Sequence, residues 1–169
     1  MHEFSTPITD GDIEKIQVGD IISVSGEIYC GRDVVLPKIV AAYRNGELDG
    51  YGVQLTGSLI FHTAVSIAGI GPTSSNKLEI ESSIAPLSEA GVKIHLGKGA
   101  ISEETIKALE RQKAIFAVVP PVTALLQSKI VETKVLAFPE EGMEAFYVAR
   151  VNGLQMIVAA AHGRSIYGV

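Results

Sequence analysis

The sequence predicts a single mixed α/β domain, and three observations carry that prediction. Short β-branched, apolar runs alternate with stretches of helical spacing along the whole chain. The apolar fraction is 47% and the mean hydropathy +0.30, enough buried surface to offset chain entropy and to exclude disorder. The length of 169 residues is that of one domain, spanning 1–169. So apolar a composition also predicts that part of the surface is covered by another chain, because permanent interfaces resemble a core cut in half.

Each element follows in order. DIISVSGEIY (20–29) alternates apolar and polar residues and predicts a half-buried strand, with CGRD as the turn after it. Leu36, Ile39, Val40 and Tyr43 fall at helical spacing, and RNGELDG closes that segment with turn residues. Two strands are expected near 57–62 and 65–70, before GPTSSNK (71–77). A helix should begin within TSSN and turn Ile80, Ile84 and Leu87 inward, with Pro86 bending or ending it. VKIHL (92–96) reads as a buried strand and GKGA as its turn. Ser102 then caps a helix, with Glu103 and Glu104 in the first turn and Ile101 and Ile106 as a hydrophobic staple. AIFAVV (114–119) predicts another buried strand, PPVTALLQSK (120–129) a short helix and KVLAF (134–138) a strand. EAFYVARV (144–151) and LQMIVAA (154–160) predict a closing hairpin turned at Asn152-Gly153.

Several function classes are excluded. A net charge of −5 with no Lys/Arg stripe argues against nucleic acid. The run from Gly50 to Asn76 lacks charge, but glycines, Pro72, Gln54 and His62 break it, so it reads as buried strands rather than a membrane helix. The N-terminal MHEFSTPITDGD has neither a basic nor an apolar leader segment, and a single cysteine, Cys30, fits a reducing compartment; the expectation is a soluble, cytoplasmic protein. No two histidines have metal-ligand spacing, so no metal site is expected on this chain. No G-x-S-x-G elbow supports a serine hydrolase.

What remains is a recurring design. At CGRD (30–33), GPTSSNK (71–77) and LGKGAIS (96–102) an apolar strand enters a tight glycine turn bearing a cation or hydroxyls. Two of the three lead into a predicted helix N-terminus, where unpaired N–H groups and the helix dipole favour an anion. Arg32 offers a bidentate grip on a carboxylate and Lys98 a compact charge. Each turn also has a purely structural reading: Arg32 as a surface arginine beside a helix-capping Asp33, TSSN as spare caps, GKG as an ordinary turn. His62 and His95 within apolar strands read as hydrogen-bonded core residues, and Cys30 as a buried thiol.

Taken together, GRD, GPTSS and GKG in this order, with the opening TPITDGDIEKIQVGDIISVSGEIY and the strand EEGMEAFYV, resemble one family. It is the β subunit of two-subunit class I fumarate hydratases and L-tartrate dehydratases, equivalent to the C-terminal domain of the single-chain forms. The resemblance implies a swivelling β/β/α fold, a mixed sheet or partial barrel flanked by helices. It also implies reversible hydration of a C4 dicarboxylate with a 4Fe–4S cluster held by a larger α subunit, since Cys30 alone could not hold one. On the matching positions Thr73 takes the role of proton acceptor, and Lys98, also catalytic, completes the positive rim. Arg32 with Asp33, Ser74 and Lys77 would bind the substrate carboxylates. The chain departs from the family pattern at Lys77-Leu78-Glu79, where Arg-Met-Asp is usual, at the missing histidine after Asp33, and at HTAV (62–65) in place of His-Ala-Gly-Pro. Those departures leave a second reading open: a diverged, non-catalytic relative that binds a small anion or a partner protein on the same scaffold. Pairing of the chain with itself is also left open.

Overall fold

The computed structural model describes residues 2–66, 69–73, 77–119 and 129–166, with backbone alone between 66 and 80. Its centre is a five-stranded barrel. The barrel strands are β2 (Ile21–Cys30), β3 (Leu59–Phe61), β6 (Ile94–Gly97), β7 (Ile115–Val118) and β9 (Phe146–Ala161). Neighbours β2, β3, β6 and β7 are parallel, and β9 closes the ring by pairing antiparallel with both β7 and β2. Three strands extend it: β1 (His2–Ser5) on β2, and β8 (Ile130–Ala137) and β10 (Arg164–Ser165) on β9. A separate hairpin, β4 (Thr63–Ser66) with β5 (Gly69–Thr73), leaves the end of β3.

Strand periodicity explains why the barrel fills itself. Ile22, Val24, Ile28 and Cys30 of β2, Leu59 and Phe61 of β3, Ile94 and Leu96 of β6, and Ile115 and Ala117 of β7 form one buried cluster. The intervening residues Ile60 and Phe116 face outward into two further clusters beneath the helices. Those helices are α2 (Leu36–Arg44), α3 (Lys77–Glu89) and α4 (Glu103–Arg111), while the short α1 (Asp10–Glu14) adds Ile13 to the barrel cluster. The expected partial barrel flanked by helices is therefore present.

α4 forms as its sequence dictates. Ser102 is the N-cap and its hydroxyl accepts the Thr105 N–H at 3.3 Å, while Ile101 packs against the cluster containing buried Ile106. α2 buries Leu36, Ile39 and Val40 as expected, but its fourth inward residue is Ala42, and Tyr43 is 44% exposed. α3 buries Ile84 and Leu87 and runs three residues past Pro86. The ring sits in the last turn, where losing one backbone rung leaves little helix to disrupt. The expected strand near 65–70 is instead the two arms of the β4–β5 hairpin, and residues 134–137 of KVLAF belong to a strand that begins at Ile130, with Phe138 just beyond it. Most of the predicted helix 120–129 lies outside the described residues.

One expectation fails for an instructive reason. Residues 144–151 and 154–160 do not fold back on each other: from Phe146 onward both lie on the continuous strand β9, and Glu144 belongs to the turn before it. The pairing steps from Val24↔Leu154 to Gly26↔Val151, so Ser25 faces both Asn152 and Gly153 in a β-bulge. Gly153 supplies φ +69° and donates its N–H to Ser25 Oγ at 2.9 Å, while the Asn152 N–H reaches the Lys129 carbonyl at 2.8 Å. Asn-Gly suits a left-handed position in a turn or in a bulge. The ten-residue β2 alongside offers partners to both flanks, and that favours the bulge.

Candidate functional site

Because β2, β3 and β6 are adjacent and parallel, the turns at their C-terminal ends share one rim of the barrel. Gly31-Arg32-Asp33 follows β2, His62 and the β4–β5 hairpin follow β3, and Lys98 follows β6. The register holds them level: Tyr29 pairs with Ile60 and Phe61 with Leu96. The Gly31 N–H donates to the Phe61 carbonyl at 3.0 Å, and the His62 N–H to the Leu96 carbonyl at 2.8 Å. Two strand spacings separate the GRD and GKG turns, roughly 10 Å. Ligands of parallel α/β sheets gather at such strand ends. Gly31 is required by crowding, since a Cβ there would lie 2.7 Å from Val35 Cγ1 and 3.0 Å from the Phe146 ring.

Arg32 does not stand alone. Its Nε meets Glu144 Oε1 at 2.7 Å and Oε2 at 3.0 Å, and its Nη2 meets Oε1 at 2.5 Å. Both side chains are about three-quarters buried, and Glu144, then Asp33, reinforce the positive charge of Arg32. Glu144 closes the 3₁₀ turn Pro139–Glu144, which packs beside β4. Inside that turn Gly142 adopts φ 60°, ψ −120°, a conformation that side-chain-bearing residues avoid. A second ion pair, Lys38 Nζ to Glu141 Oε1 at 2.7 Å, ties the same turn to α2. The turn from EEGMEAF thus braces the GRD turn from the side of β4.

The other expected site residues are placed to different degrees. Thr73 ends β5 and pairs with Thr63, two residues beyond β3, so its backbone belongs to the same rim. Ser74 lies outside the described residues. Lys77 is the first residue of α3. Lys98 is exposed on the GKG turn. Asp33 is half-buried, and it is not the α2 cap: that position belongs to Val35, which makes no side-chain cap bond.

Sequence reasoning missed two features. Glu144 was part of a recognised strand motif, yet a glutamate before an apolar strand gives no sign that it will meet Arg32 across 112 residues. The second is a buried polar chain that His62 and His95 form with Ser88. The Ser88 hydroxyl donates to the Ile84 carbonyl at 2.8 Å, so it accepts from His95 Nε2–H at 2.9 Å. That fixes His95 Nδ1 as an acceptor, for His62 Nε2–H at 3.2 Å. Burial lowers the pKa of His62 to about 4, and burial followed by the neighbouring His62 lowers that of His95. Both are neutral, hydrogen-bonded core residues, as expected, and they pin α3 to the sheet. Cys30 is pushed up to about 12 by burial and is inert as a thiol. Among the described residues no group of three or more His, Cys, Asp or Glu could hold a metal, and no helix is long and apolar enough to cross a membrane.

Comparison with known proteins identifies the family. An L(+)-tartrate dehydratase subunit beta from Escherichia coli K12 is 27% identical, over 96% of this chain and 84% of its own length. A provisionally named L(+)-tartrate dehydratase subunit beta from Methanocaldococcus jannaschii is 29% identical, over 95% of this chain and 88% of its own. A provisionally named class I fumarate hydratase from Geobacillus stearothermophilus is 25% identical over 95% of this chain, which corresponds to only 32% of that longer protein. The family model described as Fumarase C-terminus matches residues 3–169, and the chain belongs to that family.

Proposed function

We propose that this chain is the β subunit of an iron–sulfur hydro-lyase that adds or removes water across a C4 dicarboxylate, working with a cluster-bearing α subunit. The observation that carries the reading is the common rim shared by the GRD turn, the GPT hairpin and the GKG turn. The relatives' names supply the reaction class and the subunit designation.

Removing a proton beside a carboxylate pushes negative charge onto that carboxylate, and fixed cations must meet the charge as it develops. Arg32, held by Glu144, is the clamp for one carboxylate, with Asp33 supporting its charge. Ser74, Lys77 and the backbone N–H groups at the start of α3 receive the other. Thr73 accepts the proton and Lys98 completes the positive rim. Cys30 is buried within the barrel; in this reading the 4Fe–4S cluster would be held by the α subunit. The chain's own share is to bind, orient and deprotonate.

The test is anaerobic co-expression with a cluster-bearing α subunit, followed by assays of fumarate–malate and tartrate–oxaloacetate interconversion. Turnover that requires both chains is the expected result. An intact cluster with no turnover on any hydroxy-dicarboxylate contradicts the proposal.

A further inference from the structure

The edge strand β8 carries a pattern that the site does not use. It pairs with β9 on one side, and no described strand pairs with its other edge. Residues 131–135 are exposed on both faces, with Val131 at 60% and Val135 at 39%. Such an edge is a template for another strand, and proteins commonly guard one with a lysine or a bulge. Both guards are present here. Lys134 lies on the strand, and its pairing with β9 shifts register at Val131 and Leu136, leaving Glu132–Val135 as the regular run.

The guard fails against one partner, a second copy of the same strand. Ile130-Val131-Glu132-Thr133-Lys134-Val135-Leu136 is self-complementary when laid antiparallel on itself about Thr133. Within the regular run Glu132 then faces Lys134 of the other copy and Thr133 faces Thr133, while the apolar residues Ile130, Val131, Val135 and Leu136 flank these pairs at the two ends. Each charge of the regular run meets its opposite, the arrangement that favours cross-strand pairs. The face carrying Glu132 and Lys134 also holds Glu27 and Arg150 in one shallow cleft, and Arg150 Nη2 already contacts Glu132 Oε2 at 3.2 Å. That cluster is charge-balanced, so an identical edge brought alongside it meets no net repulsion.

We propose that β8 is a homodimer interface, in which two copies join edge to edge about a two-fold axis at Thr133 and make one continuous sheet across both barrels. The contact is isologous, so it closes at two copies and does not propagate. It uses none of the residues assigned to the rim and is independent of the reaction assigned above.

Register-specific cross-linking and charge exchange test it on the full chain. The native chain is expected to sediment as a dimer at micromolar concentration. Lys134→Glu sets two glutamates against each other at both of the facing 132/134 pairs, and Glu132→Lys sets two lysines there instead. Each variant should weaken dimerisation roughly tenfold or more. Mixing the two variants gives one pair of facing glutamates and lysines with opposite charges at both positions, and should regenerate a dimer. Thr133→Cys should form a 133–133 disulfide under mild oxidation without interference from buried Cys30, because facing strand residues lie within disulfide reach. Circular dichroism and melting of each variant confirm that these exposed substitutions leave the fold intact. A monomeric native chain overturns the proposal. So does a dimer that ignores both charge variants and fails to cross-link through residue 133, including one formed through another face.

Discussion

Arg32 shows how much one side chain depends on its surroundings. Its guanidinium is bound at two points by Glu144, and both groups are largely removed from water. Arg32→Ala therefore leaves a largely buried carboxylate without its main cation and should cost about 1–3 kcal/mol in urea denaturation. The Arg32→Ala/Glu144→Ala pair should recover part of that loss, which a double-mutant cycle measures. Arg32→Lys keeps the charge but loses the planar fork, so kcat/KM in the two-subunit enzyme should fall by roughly 100-fold. His62 yields a pH prediction. Its folded pKa, about 4, lies below the ordinary value of 6.5, so the unfolded chain binds more protons between those limits. Stability from this group is fully present above pH 6.5 and lost as pH falls toward 4, by about 3 kcal/mol. A melting temperature that declines across that window, and a flatter profile in a His62→Leu/His95→Leu variant, are the expected results. The arginine and both histidines are visible in the sequence, but their partners are not. Glu144 and Ser88 reach them only through the closed fold, and no local spacing encodes such contacts.

Single elements were readable wherever the deciding forces act within a few residues. The Ser102 cap, the acidic first turn and the Ile101/Ile106 staple all lie within one stretch, and α4 forms where they place it. Ser102→Ala should cost about 1 kcal/mol, read from the shift in denaturation midpoint. β9 is the contrasting case. Asn152-Gly153 signals a left-handed residue, but only the presence of β2 decides between a turn and a bulge. Gly153→Ala, at φ +69°, should destabilise by about 1 kcal/mol or more, since alanine is strained there. The position of Pro86 follows the same logic. A proline's cost depends on how much helix lies beyond it, and here that is three residues.

For the whole molecule, barrel closure is what brings three separated motifs to one rim. Parallel β2, β3 and β6 deliver GRD, the hairpin carrying GPT and GKG to a single rim, although 66 residues of sequence separate Arg32 from Lys98. The alternation of strands and helices was legible, and so was the class of fold. The order of strands around the barrel was not, because it rests on long-range pairing that periodicity does not specify. The central claim is that this rim performs proton transfer on a dicarboxylate. Its most direct measurement is turnover by Thr73→Ala, assembled with the α subunit, set beside dicarboxylate binding to the same complex. The account predicts a loss of at least roughly 100-fold in kcat, with substrate still bound and the cluster intact. A Thr73→Ala enzyme that turns over at the native rate would contradict it.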